Sequence, residues 1–243
     1  MRALLTGLTT VFLGAFAGLA MAGDRPVVVV ELFTSQGCSS CPPADELLGE
    51  LAHYDDVLPL AMHVDDWDYI GWKDTFAQPQ FTRRQKAYAY GFGTKSIYTP
   101  QMVIGGIDQA VGSHVMKVME ILHEHQMGVS RVSLSTHDGD DGRVVRIAKV
   151  SNLPLPEVLI AQVVTYIPEA TVAVTRGENA GRSITSTNIV TNVQPVGKWE
   201  GMGEIELKLP QPVAPEGQKA AILLQATQMD NYPGEILAAI ALD

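Results

Sequence analysis

Val27 to Phe33 is a nearly continuous apolar run, interrupted only by the carboxylate of Glu31. It is too short and too rich in β-branched residues for a helix. It reads as a strand buried on both faces, in a sheet covered by helices. The residues that follow supply such helices. Ala44 to His53 places Leu47, Leu48 and Leu51 at helical spacing. Val57 to Val64 reads as a second strand, and Phe81 to Tyr90 as a helix stopped by Gly91 and Gly93. Pro100 to Ile104 is a third strand, closed by Gly105-Gly106. Val115 to His125 is a last helix with Val115, Val118, Met119 and Leu122 on one face. This alternation is an α/β pattern.

The rhythm changes after Gly128. Short alternating or β-branched runs recur at 129–136, 143–150, 158–166, 171–175, 183–191, 204–209, 221–228 and 236–242, with turn residues between them. The expected architecture is an α/β domain over 23–128 followed by an all-β region over 129–243, a sandwich or curved antiparallel sheet. Residues 1–22 stand apart from both. Arg2 precedes an apolar stretch that ends in Ala20-Met21-Ala22, the pattern of a cleaved signal peptide. The mature chain is then expected in a bacterial periplasm or outside the cell, with no stable membrane span, where disulfides persist. A net charge of −10 argues against nucleic acid and anionic membranes as partners.

Only two cysteines are present, Cys38 and Cys41, at the junction of the first strand and the first helix. A thiolate at a helix N-terminus faces unpaired N–H groups and the positive end of the dipole, which lowers its pKa. Pro42 and Pro43 fall in the first turn, where a missing N–H costs nothing. The spacing lets the two sulfurs close a disulfide. Cys38, nearer the loop, is expected to be the more exposed nucleophile and Cys41 the resolving thiol. The same pair also fits a structural bridge, half a zinc site, or a Cu(I) site completed by His63.

Context narrows the choice. VVVVELFTSQGCSSC, a helix, LAMHVDD, AYAYGFGTKSIYTPQMVIGG and QAVGSHVMKVMEILHEH run in the order of the thioredoxin superfamily's elements, and residues 27–127 resemble that superfamily. The resemblance implies that Thr99-Pro100 is a cis-proline loop facing the disulfide, able to grip an incoming chain as a strand edge. It also implies a proton role for Glu31, one position removed from the superfamily's buried aspartate. LFTSQGCSSCPPAD, HVDDWDYIGWKD, YTPQ and RGENAGR further resemble a family of exported bacterial thioredoxin-like proteins labelled as a domain of unknown function. The chain departs from thioredoxin in having Ser39-Ser40 between the cysteines, no Trp before the first, and extra length between Trp67 and Tyr88.

Around this centre, His63 and Asp65 alternate onto one face at the end of the second strand. Trp67, Tyr69 and Trp72 fit the floor of a substrate groove or the packing of an insert. Arg83, Arg84 and Lys86 read as a solvated helix face, and His123 and His125 as surface residues. Residues 138–142 read as a hairpin turn. Residues 176–182 form a polar, Gly-rich loop that either folds over the thiol site or is held by its own Arg–Glu pairs. The expected activity is exchange of the Cys38–Cys41 disulfide with thiols of a partner protein, without a cofactor. The alternatives are a Cu(I) carrier and an interaction protein with a structural disulfide.

Overall fold

The computed structural model describes residues 26–140, 142–228 and 232–242; the signal expected over 1–22 lies outside them. The chain runs through β1 (Val28–Thr34), α1 (Pro42–Leu51), β2 (Val57–His63), a 3₁₀ turn (Asp68–Ile70), α2 (Pro79–Gly91), β3 (Gln101–Ile104), β4 (Asp108–Val111) and α3 (Val115–Gln126). It continues through β5 (Val132–Gly139), β6 (Gly142–Lys149), β7 (Leu159–Ala173), β8 (Ser183–Trp199), β9 (Ile205–Lys208), β10 (Lys219–Thr227) and β11 (Pro233–Leu242). None of the described helices is long and apolar enough to cross a membrane.

The architecture is mixed α/β, built on one eight-stranded sheet of order β11-β10-β7-β8-β2-β1-β3-β4. β1 and β2 are parallel, and β3 runs antiparallel against β1. Every residue of β1 and β2 is buried, as the apolar run required. Val28, Val30 and Leu32 pack with Ala44, Leu47, Leu48 and Leu51 of α1 and with α3. Val29 and Phe33 face the other way, onto Phe81 and Tyr88 of α2. Burying a leucine fully is worth about 1.5–3 kcal/mol, so the Leu47, Leu48 and Leu51 stripe is a principal anchor of α1.

The second half does not form a separate all-β layer. Four of its strands extend the sheet begun by the first half, and β8 lies parallel to β2 through the pair Ala61–Ile189. An open edge at β2 would leave buried N–H and C=O groups unpaired, and β8 covers it. Asn188, at φ 49°, adds a side-chain N–H bond to the Pro59 carbonyl at 2.9 Å. The remaining strands form a three-stranded sheet, β5-β6-β9. It packs Val132, Val145 and Ile147 onto Leu159, Ala161, Ile222 and Leu224.

The runs 158–166 and 171–175 prove to be one strand, β7, that continues through Pro168. β10 has stopped pairing at Tyr166, so β7 and β8 continue beyond it as a two-stranded ribbon. A strand bonded on one side only tolerates proline. The ribbon passes beside α1, where Thr187 Oγ1 lies 3.3 Å from the position a Cβ on Gly49 would occupy. Its tip carries residues 174–182.

Candidate functional site

β1 ends at Thr34 and the chain turns twice before α1. The Cys38 N–H donates to the Ser35 carbonyl at 3.1 Å, and the Cys41 N–H to the Cys38 carbonyl at 3.2 Å. Cys41 is the N-cap of α1, with Pro42 and Pro43 in the first turn. The Ala44 and Asp45 N–H groups then close on the Cys41 carbonyl. Cys38 and Cys41 form a disulfide with Cα atoms 5.4 Å apart.

The sulfurs are not at the surface. Cys38 is 1% exposed and Cys41 0%, while Ser39 and Ser40 between them are exposed. Cys38, expected to be the more exposed of the two, is buried like Cys41, and the loop at the ribbon tip reaches the same turn. Asn179 is itself 1% exposed and donates from Nδ2 to the carbonyls of Gln36 (3.0 Å) and Cys38 (2.9 Å). Most of its neighbours on the loop, Arg176, Gly177, Glu178 and Ala180 among them, face water. Residues 176–182 thus reach the cysteine turn through one inserted amide.

Two further segments meet the cysteine turn. Trp72 donates from Nε1 to Gln36 Oε1 at 2.9 Å, and Gly37 packs so closely on Trp67 that an added Cβ would lie 3.3 Å from the Trp67 Cβ and carbonyl oxygen. Both tryptophans are half-buried and fix the 67–75 segment to the core, whereas Tyr69 is exposed. The Thr99–Pro100 peptide bond is cis. Ser40 links this loop to the disulfide: its hydroxyl is 3.3 Å from Cys38 Sγ and 3.5 Å from the Thr99 carbonyl. Pro100 also sits against the α1 side, since a Cβ on Gly112 would crowd both Ala44 and Pro100.

A polar group lies on the α1 face of the sheet, at the ends of β1 and β2 from which the cysteine turn leaves. Thr34 and His63 are register partners on β1 and β2. Thr34 Oγ1 donates to Asp45 Oδ2 at 3.2 Å. His63 Nδ1 is 2.8 Å from Asp74 Oδ2, which also accepts the Gln36 N–H at 2.7 Å. Asp45, one helical turn beyond Cys41, is buried. Burial raises its pKa to about 7, against the opposing pull of His63 and the Thr34 hydroxyl. Burial also works to raise Asp74, but His63 and the N–H donors outweigh it and hold that carboxyl below its ordinary value. Asp45 Oδ1 and His63 Nε2 are both buried without a hydrogen-bond partner.

Glu31 is placed elsewhere. Its side chain points to the α2 face with Val29 and Phe33, away from α1 and the cysteines. There Arg84 binds it through Nε at 2.7 Å and Nη2 at 3.2 Å, and the Tyr88 hydroxyl donates to Oε2. Arg84 also reaches Gln225 Oε1 of β10 at 2.8 Å. The surroundings of Glu31 support an ion-pair role in joining α2, β1 and β10, in place of the proton role for the resolving thiol. Arg84, expected on a solvated face, is correspondingly drawn into the core.

His63 pairs with Asp74 instead of Asp65, which is bonded to Thr82. His125 is 2.9 Å from Asp108 at the other end of the sheet. Residues 138–142 join β5 to β6 as a hairpin, with Asp141 outside the described residues. Among the described residues, no group of three or more His, Cys, Asp and Glu side chains is arranged to hold a metal.

Sequence reading had not singled out Asp45, Asp74, Gln36 or Asn179. Asp45 carried a signal: it occupies the position one turn after Cys41 and three before Leu48, on the apolar stripe of α1. Asn179 carried none beyond its place in a Gly-rich loop.

The comparisons agree on the whole-chain architecture. A crystal structure of a protein from Agrobacterium tumefaciens is similar, at 32% identity and a TM-score of 0.77, over 91% of this chain and 96% of that one. HBP35 of Porphyromonas gingivalis shares the fold at 10% identity and a TM-score of 0.57, over 90% of this chain and 75% of its own. No curated protein matches. The model of the family described as "Protein of unknown function (DUF1223)" matches residues 29–225, and the chain belongs to that family.

Proposed function

We propose that the protein is an exported thiol–disulfide oxidoreductase acting on protein partners. The observation that carries the reading is the junction itself: a disulfide at the N-cap of α1, linked through Ser40 to the cis Thr99–Pro100 loop. Its order along the chain resembles the thioredoxin superfamily.

In the reducing direction, the Cys38 thiolate attacks a sulfur of a partner disulfide. A mixed disulfide forms and one partner thiolate leaves. The Cys41 thiolate then attacks Cys38 Sγ, closes the 38–41 bridge and releases the second partner thiolate, so two electrons pass to the partner. The reverse sequence oxidises a partner dithiol. The potential of the pair decides the direction.

Thr99 and Pro100 hold the partner backbone. Asp45 takes the proton role first assigned to Glu31, because it lies on the helix that carries Cys41 and its pKa of about 7 suits transfer near neutrality. Trp67 and Trp72 support the cysteine turn.

The test is the reduction potential of the mature protein, followed by exchange assays of Cys38→Ser. A potential between about −120 and −270 mV, with exchange abolished in the variant, is the expected result. A potential below about −300 mV would overturn the reading in favour of a structural bridge, and full exchange by Cys38→Ser would overturn it by removing Cys38 as the attacking thiol.

A further inference from the structure

Asn179 and its loop have a consequence for how Cys38 can react. Attack at a disulfide sulfur comes along the S–S axis, so the attacking atom needs an open path to that sulfur. Cys38 is 1% exposed. The side chain that binds its backbone carbonyl comes from 141 residues away, on the tip of the β7–β8 ribbon. We propose that residues 174–182 are a gate over Cys38, latched by Asn179, which must lift before a partner's sulfur can reach the disulfide. The proposal deepens the exchange reading by naming the segment that controls access.

Three features distinguish a latch from ordinary loop packing. The loop folds on itself first: the Val174 N–H bonds the Arg182 carbonyl at 2.9 Å, and the Gly181 N–H bonds the Val174 carbonyl at 2.8 Å. It can therefore move as a unit about its base. Its hold on the cysteine turn is concentrated in Asn179, whose Nδ2 spans the carbonyls on both sides of Gly37. The same side chain leaves Oδ1 buried and unpartnered. A buried orphan acceptor costs free energy that opening returns, which keeps closure from being strongly favoured. A second contact, Gly177 at φ 78°, seats the loop on Trp72, where a Cβ would lie 3.1 Å from the Trp72 Cβ. The face turned outward carries Arg176, Glu178 and Arg182, which are exposed. These are the side chains a docking protein meets first, so specificity would enter through them.

The gate is tested by the rate at which tris(2-carboxyethyl)phosphine reduces the disulfide, followed by alkylation of the thiols. The phosphine attacks one sulfur and releases the other as a thiolate; water then hydrolyses the thiophosphonium, giving the phosphine oxide and the second thiol. It reduces the bridge irreversibly, so the rate reports access whatever the potential. Asn179→Ala removes the latch, and Gly177→Ala crowds Trp72 while leaving Asn179 in place. With melting temperatures measured alongside, Asn179→Ala is expected to react roughly tenfold faster than wild type, the scale of losing two modest hydrogen bonds, and Gly177→Ala severalfold faster through its clash with Trp72. Asn179→Asp, which turns an acceptor toward two carbonyls, is expected to react at least as fast as Asn179→Ala. If Asn179→Ala fails to fold, Gly177→Ala decides. Wild-type rates in folded variants would overturn the gate and leave the exchange reading intact. Faster rates in the variants, with a potential below about −300 mV, would overturn the exchange reading and leave the gate.

Discussion

Two carboxyl groups, Glu31 and Asp45, lie buried on opposite sides of β1, and they are compensated differently. Glu31 faces a guanidinium, a phenol and, through them, Gln225. Arg84 cannot give up its charge at any ordinary pH, and the ion pair with Glu31 holds its pKa above normal even though burial opposes it. Asp45 faces a threonine hydroxyl and, at longer range, a histidine, with one oxygen unpartnered. A carboxylate matched to a permanent cation is a fixed structural joint. A carboxyl matched only to neutral or titratable groups exchanges its proton within the working pH range. A place on the strand that leads to the cysteines is a poor guide to which side a carboxyl faces, because alternation sends Glu31 through the sheet to the far face.

The sharpest way to break this comparison is to remove the cation. Arg84→Met is expected to cost about 3–5 kcal/mol in denaturant unfolding, since Glu31 is left charged and buried. Adding Glu31→Gln should recover part of that loss. A cost below about 1 kcal/mol would show that the pair is not the joint described here.

Asp45 gives the next largest effect, visible in pH dependence. Its pKa is raised from 3.8 to about 7 on folding. Below pH 3.8 both states hold the proton and its contribution to stability is full. As pH rises the unfolded chain loses the proton first, so that contribution declines and is gone once pH passes about 7. Wild type should therefore lose up to about 1.4 kcal/mol per pH unit relative to Asp45→Asn across that window. Parallel stability curves for the two proteins would refute the assignment.

Exchange kinetics sharpen the contrast further. Asp45→Asn is expected to remove an inflection near pH 7 from the resolving step, whereas Glu31→Gln keeps the profile and changes stability alone. A profile altered by Glu31→Gln and untouched by Asp45→Asn would reverse the two roles. The smallest effect belongs to Thr34→Val. It removes one hydrogen bond to Asp45, should cost about 1 kcal/mol and should move the inflection upward, because that bond favours the ionised form. An unmoved inflection would mean Thr34 does not tune the group.

Much of this centre was legible in the sequence because it is written locally. The apolar run at 27–33 required a doubly covered strand. The proline pair after Cys41 marked a helix start, and the Leu47, Leu48 and Leu51 stripe showed which face α1 buries. In the second half, period-two patterning located most strands, although Pro168 divided one of them. β4, four residues of mixed polarity after a Gly-Gly turn, offered too little pattern to be seen.

What stayed hidden is what depends on pairing between distant segments. Hydropathy located β8 without showing that it would cover the edge of β2, since any strand of suitable face can satisfy the same backbone groups. Arg84 sits on a helix of low overall hydropathy, and only the approach of Glu31 and Gln225 turns it inward. Asn179 is one polar residue in a polar loop until the β7–β8 ribbon carries it to the Cys38 carbonyl.

The sequence by itself determined the strand, the cysteine turn and the helix start. Each follows from periodicity, from the fixed φ of proline or from cysteine spacing within a few residues. The tertiary structure alone decided which side of β1 each buried acid takes, what pairs with it, and that Cys38 is buried. Those outcomes depend on electrostatic and hydrogen-bond partners brought together across long stretches of chain, and no local propensity encodes them.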